Sequence, residues 1–431
     1  MGIVFNGPIA SMLMTQPDTT VHPGDFYDAL TYLTTREQLA TLQARMAKYN
    51  VPYTTPVVTG IKKYIDRNGE KIYLSQDKKG NWGIVLQSGK EPTYEYPPVN
   101  EVKTEEQTEM HFTGQALFSA LLPEDLYYEG DKGVIIQEGV LTNGVITRAH
   151  IGPERNSIIH VMSLNYSVGR VSNFLTDATF VLNRWLNTYG FSIGISSCLV
   201  GDKNFNTEVN TQIEKARLLI ASMGGMPESE TEAERYEEQI LAYIGNPSKE
   251  LAKKIQATLP KDNALNIAAL SGAKGKVSNL VQIAAFAGQQ HLESRRIKPE
   301  MTYETRCLPY FKTGDESIES SGFCTASFLQ GLPPSQMYFH AMSAREGLLG
   351  TAVHTSDTGF MHRKAIKTLQ DIKVAYDGSV RNADKTVFQY VYGDDGFSPE
   401  RLQIVETRKG KFLSFIDLKN VSSQINNRYG Y

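Results

Sequence analysis

Cysteine is scarce in this 431-residue chain, which has only Cys198, Cys307 and Cys324. No two of them form a CxxC pair or a zinc-ligand spacing. A disulfide framework is therefore excluded, and the three read as reduced thiols of an intracellular protein. The eight histidines make no HExxH or other paired spacing, so no histidine metal site is expected. No apolar run approaches the roughly 18 residues that a membrane span needs, and no signal-peptide pattern opens the chain. Excess charge of one sign is also missing, with 44 Lys and Arg against 47 Asp and Glu. A free nucleic-acid binder is usually basic, so any contact with DNA or RNA must be local. Internal repeats and low-complexity tracts are absent. With 41% hydrophobic residues the composition is globular, and the length suits two to four domains.

What is present is one long helical pattern, residues 332–378. Pro333 and Pro334 suit a first helical turn, where a missing N–H costs nothing, and Gly378 offers a stop. At 1.5 Å per residue, about 40 residues reach roughly 60 Å, more than a globular domain needs. The start is apolar and aromatic (Met337, Tyr338, Phe339, Met342), and the end is basic (Arg363, Lys364, Lys367). Between them lies Thr355-Ser356-Asp357-Thr358-Gly359, about 3 kcal/mol worse than alanine in a helix. Something outside the helix must hold that stretch. It is either a small-residue face packed in a core, or a span across an open cleft with a ligand on one side.

The string HAMSAREGLLGTAVHTSDTGFMHRKAIKTLQD resembles the bridge helix of the largest subunit of multisubunit DNA-directed RNA polymerases, of the eukaryotic and archaeal type. His340-Ala341-Met342, Arg345-Glu346-Gly347-Leu348, Thr351-Ala352-Val353, Thr358-Gly359 and Arg363 fall in register. In that family the helix crosses the cleft beside the active site, next to the templating base. The resemblance implies nucleic-acid contacts from Thr355, Ser356, Gly359, Arg363 and Lys364. It implies support of the helix by His340, Arg345, Glu346, Gln289 and Gln290. The two glutamines belong to SGAKGKVSNLVQIAAFAGQQHLESRRI, which matches a family pattern of glycine-flanked lysine, apolar helix, GQQ and basic pair. The matching residues are Gly272, Lys274, Gly275, Asn279, Gln282, Gly288, Gln289, Gln290, Arg295 and Arg296. Glycines beside Lys274 let backbone and ammonium approach a phosphate closely. By the resemblance, Lys274 and Arg148 lie along the nucleotide path.

Over the whole chain the resemblance implies an α+β protein. Residues 1–197 would be the late part of a β-rich pore domain and 198–331 a helical-hairpin funnel domain with its connector. Residues 332–378 would be the bridge helix and 379–431 the start of a cleft domain. The residues themselves predict a short strand or turn over 2–7, and helices over 26–33 and 37–48. One hairpin is expected from 71–74 and 82–86 around Lys78-Lys79-Gly80-Asn81; it has no family counterpart and reads as an insertion over about 60–100. A second is expected from 133–139 and 145–146 around Leu141-Thr142-Asn143-Gly144. A long amphipathic pattern follows through Phe174, Phe180, Val181, Leu182 and Trp185, closing in a GFSxGI element at 190–195. Charged helices are expected over 208–223 and 230–243, and a strand over 387–392.

Other motifs fail. Tyr392-Gly393-Asp394-Asp395 looks like the YGDD of RNA-dependent RNA polymerases, but no upstream aspartate motif or palm pattern accompanies it. The multisubunit family carries YGxDG at this distance from the bridge helix, with no metal role. The glycine–lysine pairs lack phosphate-loop spacing, and no nucleophile elbow is present. The family's NADFDGD motif, whose aspartates hold the catalytic magnesium, does not occur in the chain, nor do the trigger loop and the zinc-binding clamp residues. The expectation is thus a central fragment of the subunit, with a splitting of the gene and a large-DNA-virus source both fitting the resemblance. It would bind no metal itself, Mg2+ being held by another chain. Its implied partners are the second-largest subunit, the remaining pieces of the largest subunit, the DNA template, the RNA–DNA hybrid and nucleoside triphosphates. The implied location is intracellular, in nucleus or cytoplasm, without a membrane. The reading from another class is a non-catalytic captured fragment that acts as an interaction protein.

Overall fold

The structure is a computed structural model that describes residues 2–34, 36, 39–67, 70–76, 82–87, 93–97, 102–202, 204–224, 227, 229–260, 262–407, 410–416 and 418–429. It is an α+β protein of helices and small antiparallel sheets. The chain divides into two units, residues 1–190 with 403–431, and residues 191–402.

In the first unit, α1 (Asn6–Met14) is nearly all buried. Its residues are apolar on every side, so no period marks it, and the strand or turn expected over 2–7 is instead an entry into this helix. After β1 (Thr20–Val21), α2 (Pro23–Leu30) starts with Pro23 at its first position, and the His22 ring accepts from the Gly24 N–H. α3 (Leu39–Lys48) follows. Then come β2 (Thr54–Arg67), β3 (Glu70–Tyr73), β4 (Ser75–Gln76), β5 (Trp82–Gln87), β6 (Thr93–Glu95) and β7 (Lys103–Thr113). They form two sheets, ordered β1-β7-β2-β3 and β4-β5-β6. The expected first hairpin is therefore corrected: residues 70–73 pair with β2, Tyr64 opposite Tyr73, and only 75–76 pair with β5. Its turn, Lys78 to Asn81, lies outside the described residues.

Next are α4 (Gly114–Ser119), β8 (Tyr128–Glu129), β9 (Ile135–Gln137) and β10 (Val140–Asn143). The second hairpin turns at Glu138-Gly139, both with positive φ, and residues 140–143 are a strand where a turn was expected. Gly144 is needed for a different reason. A Cβ there would meet the Val134 Cα at 2.7 Å, so its role is close approach of two backbones. Three helices finish this part: α5 (Arg148–Ile151), α6 (Ile158–Asn165) and α7 (Val168–Tyr189). α7 buries Phe174, Val181, Leu182 and Trp185 along one stripe, as its spacing predicts.

In the second unit, α8 (Phe205–Ala221) and α9 (Glu230–Thr258) make the expected helical hairpin. α9 runs 15 residues past the expected end at Tyr243. Pro247 explains the error, because its ring opposes the carbonyl of Tyr243, four residues back. Ile244, Leu251, Ile255 and Leu259 keep the apolar stripe in the core on both sides of the proline. α10 (Ala264–Leu270), α11 (Val277–Ala284), β11 (Gly288–Gln289), β12 (His291–Leu292), β13 (Arg295–Arg296) and β14 (Phe323–Cys324) lead to α12 (Pro334–Leu369). β11 pairs with β14, and β12 with β13.

α12 ends nine residues before the expected stop. Beyond Gln370 the chain forms β15 (Lys373–Val374), β16 (Val380–Arg381) and β17 (Val387–Gln389), one antiparallel sheet. Gly378, at φ +82°, sits in the β15–β16 turn, where Asp377 Oδ1 accepts from the Ser379 N–H at 3.0 Å. The glycine closes a hairpin there and does not cap a helix. The strand expected over 387–392 is also shorter, since residues 392–394 form a 3-10 turn. The last residues, grouped with the first unit, are β18 (Gln403–Thr407), β19 (Gly410–Ser414) and α13 (Leu418–Tyr429). Among the described residues no helix is long and apolar enough to cross a membrane.

Candidate nucleic-acid interface

α12 is fixed by its first three turns. Phe339 is buried beside Ile297 and Leu308, and its ring stacks on Phe311 at 6.0 Å. At the next residue, His340 Nδ1 lies 3.1 Å from Gln290 Oε1. Gln290 Nε2 donates to the Gly288 carbonyl at 3.1 Å. Its Oε1 must therefore accept, which puts the His340 proton on Nδ1. Gln289 Nε2 donates to the carbonyls of Gln290 and Ser321, both at 2.8 Å, and so ties β11 to the turn before β14. Glu346 Oε1 accepts from the Glu293 N–H at 2.6 Å. Glu293 and Ser294 form the β12–β13 turn, both with positive φ. That turn normally takes Asn-Gly, so the carboxylate of Glu346 holds a turn of unfavourable composition. Arg345 is exposed on the helix.

One anchor had no signal in the sequence motifs. Gln336 donates from Nε2 to Thr325 Oγ1 at 2.9 Å and accepts on Oε1 from the Ala326 N–H at 3.1 Å. The Cys324 thiol lies against the Gln336 carbonyl, and burial pushes its pKa up to about 12. In the sequence Gln336 only follows Ser335 ahead of Met337-Tyr338-Phe339, and nothing there marks it.

From residue 351 to 371 every side chain is exposed, so within this chain the stretch is not a buried small-residue face. Thr355 Oγ1 donates to the Thr351 carbonyl at 2.7 Å, and Thr358 Oγ1 to that of His354 at 2.6 Å. The two threonine hydroxyls are thus satisfied on the helix itself. Gly359 has an ordinary helical backbone, and a Cβ added there would meet nothing within 4 Å. At about 100° per residue, Thr355, Ser356, Gly359 and Arg363 fall within one arc of about 100°. Lys364 lies about another 100° round, its Nζ 4.4 Å from the centre of the Phe360 ring. Leu349, Val353 and Phe360, all more than half exposed, form an adjoining stripe.

The two expected nucleotide-path residues belong to different units and are described separately. Arg148 is the exposed first residue of α5. Two positions on, the His150 ring is buried. Its Nδ1 accepts from the Thr147 N–H at 3.0 Å, which leaves Nε2–H to donate to the Asp131 carbonyl at 2.9 Å. Lys274 is exposed in the loop between α10 and α11, flanked by Gly272 and Gly275 at φ +74° and +78°. The basic pair of the same motif is used internally: Arg296 makes a bidentate pair with Glu237 at 2.7 and 2.8 Å.

Asp394 and Asp395 of the YGDD string are exposed on the 3-10 turn, and Asp395 Oδ1 accepts from the Phe397 N–H at 2.9 Å. Among the described residues no group of three or more His, Cys, Asp or Glu could hold a metal ion. No catalytic magnesium site is therefore assigned to the described residues.

Three family profiles match the chain: RNA polymerase Rpb1 domain 3 over residues 9–198, domain 4 over 224–324 and domain 5 over 331–424. The chain is 32% identical over 310 residues to the DNA-directed RNA polymerase II subunit RPB1-B of Trypanosoma brucei brucei, covering 68% of this chain and 17% of that protein. It is 32% identical over 340 residues to the DNA-directed RNA polymerase subunit Rpo1N of Halobacterium salinarum, covering 75% and 34%. An RPB1 homologue of Invertebrate iridescent virus 6 is 30% identical over 309 residues, covering 67% and 29%. The matched region thus spans between about a sixth and a third of these relatives' length.

Proposed function

The chain belongs to the family of DNA-directed RNA polymerase largest subunits, and we propose that it supplies the bridge helix, pore and funnel of such an enzyme. In this reading residues 1–197 are the late pore domain and 198–331 the funnel and connector. The bridge helix, within 332–378, is α12, and 379–431 open the cleft domain. Thr355, Ser356 and Gly359 lie under the template base, and Arg363 and Lys364 meet the nucleic-acid backbone. His340, Arg345, Glu346, Gln289 and Gln290 support the helix, while Lys274 and Arg148 line the path of nucleoside triphosphates.

The observation that carries the reading is the exposure of α12 from residue 351 to 371, after anchoring near Phe339, His340 and Glu346. A helix without a core-facing stripe is retained where partners meet it on several sides. A template, an RNA–DNA hybrid and the second-largest subunit are such partners. The catalytic magnesium is assigned to aspartates on another chain, where it stabilises charge on the reacting phosphoryl group. This chain's own residues position the template and admit nucleotide. The assembled enzyme acts inside the cell.

The test is reconstitution with chains that carry the aspartate motif, the trigger loop and the second-largest subunit. Template-dependent RNA synthesis is expected. Arg363→Ala is expected to lower it at least tenfold and to leave assembly intact. Assembly without any synthesis would turn the reading to a non-catalytic interaction protein, and a wild-type rate for the variant would remove Arg363 from the interface.

A further inference from the structure

The polymerase reading leaves the second arginine of the basic pair after the GQQ motif without a task. Arg296, on β13, makes two hydrogen bonds to Glu237 of α9: Nε donates to Oε2 at 2.8 Å and Nη2 to Oε1 at 2.7 Å. The two side chains are 13% and 33% exposed. A fully exposed ion pair contributes little. This one is largely withdrawn from water and bidentate, the geometry that fixes a guanidinium in place. Arg295 reaches Glu234, about one turn earlier on α9, at 3.5 Å, but both of those side chains are 61% exposed. Arg296 is therefore the residue that holds the strand.

On its other side the same hairpin holds α12. β12 and β13 pair over only two residues each, His291 with Arg296 and Leu292 with Arg295. A hairpin that short has no stability of its own. Its turn residues, Glu293 and Ser294, sit at φ +52° and +63°, without the Asn-Gly that such a turn prefers. What grips the hairpin therefore sets its place. Leu292 and Ile297 pack into the cluster around Phe339 of α12, and the Glu293 N–H donates to Glu346 Oε1 at 2.6 Å. Ile297 directly follows Arg296, so the grip on α9 and the packing on α12 are about 3.8 Å apart along the chain. The two contacts with α12 respond differently to a tilt. Apolar packing is non-directional, whereas a hydrogen bond weakens steeply as its angle closes. A tilt of β13 on α9 is thus felt at Glu346, just before the exposed stretch that begins at residue 351.

We propose that Arg296 and Glu237 are positioning residues for α12. Their ion pair sets the angle of the β12–β13 hairpin, and the Glu293–Glu346 hydrogen bond passes that angle to the long helix. A movement of the α8–α9 hairpin thereby reaches α12. The effect on RNA synthesis rests on the polymerase reading; the positioning does not.

The test is hydrogen–deuterium exchange on the full chain, read in peptides covering 291–297 and 340–350. The control is 248–258 of α9, which carries the buried Leu251 and Ile255. Arg296→Met is expected to speed exchange about fivefold or more in the first two peptides and to leave the control within about twofold. Glu237→Gln keeps the side-chain shape and should act in the same direction. The exchanged pair, Glu237→Arg with Arg296→Glu, should restore wild-type exchange within about twofold. In a Glu346→Ala background Arg296→Met should add nothing at 340–350, because both act through one bond. In the reassembled enzyme Arg296→Met should lower the rate at saturating nucleotide about threefold or more, with Km within about twofold. Unchanged exchange at 340–350, faster exchange in the α9 control, no rescue by the exchanged pair, full additivity with Glu346→Ala, or an unaltered rate in an active enzyme would each overturn the proposal. The two readings fail separately. The expected exchange in a chain whose wild-type assembly makes no RNA keeps the positioning and removes the polymerase reading. RNA synthesis by the wild type, with exchange unmoved by Arg296→Met, removes the positioning alone.

Discussion

His150 shows what one buried side chain can report. Burial is the largest influence on its pKa and lowers it from the ordinary histidine value, and the Nδ1 that accepts from the Thr147 N–H has no room for a proton. The folded state thus favours neutral imidazole, whereas the unfolded chain takes up a proton near pH 6.5. By linkage, the stability tied to neutral His150 is complete above about pH 6.5 and declines as pH falls below it. In urea titrations of the full chain, wild type should lose more stability between pH 7.5 and 5 than His150→Ala does. At pH 7.5 that variant should cost about 1–3 kcal/mol, because the Thr147 N–H and Asp131 carbonyl lose their partner. Equal pH slopes would show that His150 does not carry the effect. None of this was legible in the sequence. A single histidine two positions after Arg148 has no pattern around it, and its partner Asp131 lies in another element. The loop that carries Lys274 was legible, because glycines on both sides mark a turn that needs left-handed backbone, and both glycines adopt it. Lys274→Ala should raise the apparent Km for nucleotides in the reassembled enzyme by several-fold and leave assembly unchanged. An unaltered Km would count against its place on the nucleotide path.

At the level of elements, α12 separates stability from function. Its middle combines poor helix formers with full exposure, so bending should concentrate there. Gly359 is the most permissive point. Alanine fits the helical backbone and open space, and should stiffen the segment by about 1 kcal/mol. The expected outcome for Gly359→Ala is a changed elongation rate and pausing pattern on a defined template, with thermal stability not lowered. Ala352→Pro should cost about 3 kcal/mol, since the ring opposes the Leu348 carbonyl and a helical N–H is lost. Wild-type speed and pausing for Gly359→Ala would mean that the small residues serve packing by partners alone. Patterned helices were read correctly in kind: the stripe of α7 follows 3–4 spacing into the core, and α8 and α9 form where alternating charge placed a helical hairpin, although α9 runs past Tyr243 and both bury an apolar stripe that the charge pattern did not show. Misreadings came where local signals and tertiary roles part company. Asn143-Gly144 has hairpin chemistry, yet the turn forms at Glu138-Gly139, and Gly144 serves backbone approach. Gly378 has stop chemistry, yet β16 needs it for a turn, with Val380 buried beyond.

For the whole molecule, the decisive quantity is what the chain does without partners. Two-metal nucleotidyl transfer needs carboxylates fixed about one cation-pair distance apart, roughly 3.5–4 Å between ions. The chain has Asp394 and Asp395 adjacent on one exposed turn, with Asp395 already accepting from its own backbone. No described cluster of three or more acidic, histidine or cysteine ligands supplements them. The purified chain is therefore expected to make no RNA from nucleoside triphosphates and Mg2+ on any template. Asp394→Asn with Asp395→Asn should leave the activity of the reassembled enzyme within about twofold. A template-dependent product from the purified chain, abolished by that double substitution, would place the chemistry in the YGDD turn and overturn the division of labour proposed for this subunit.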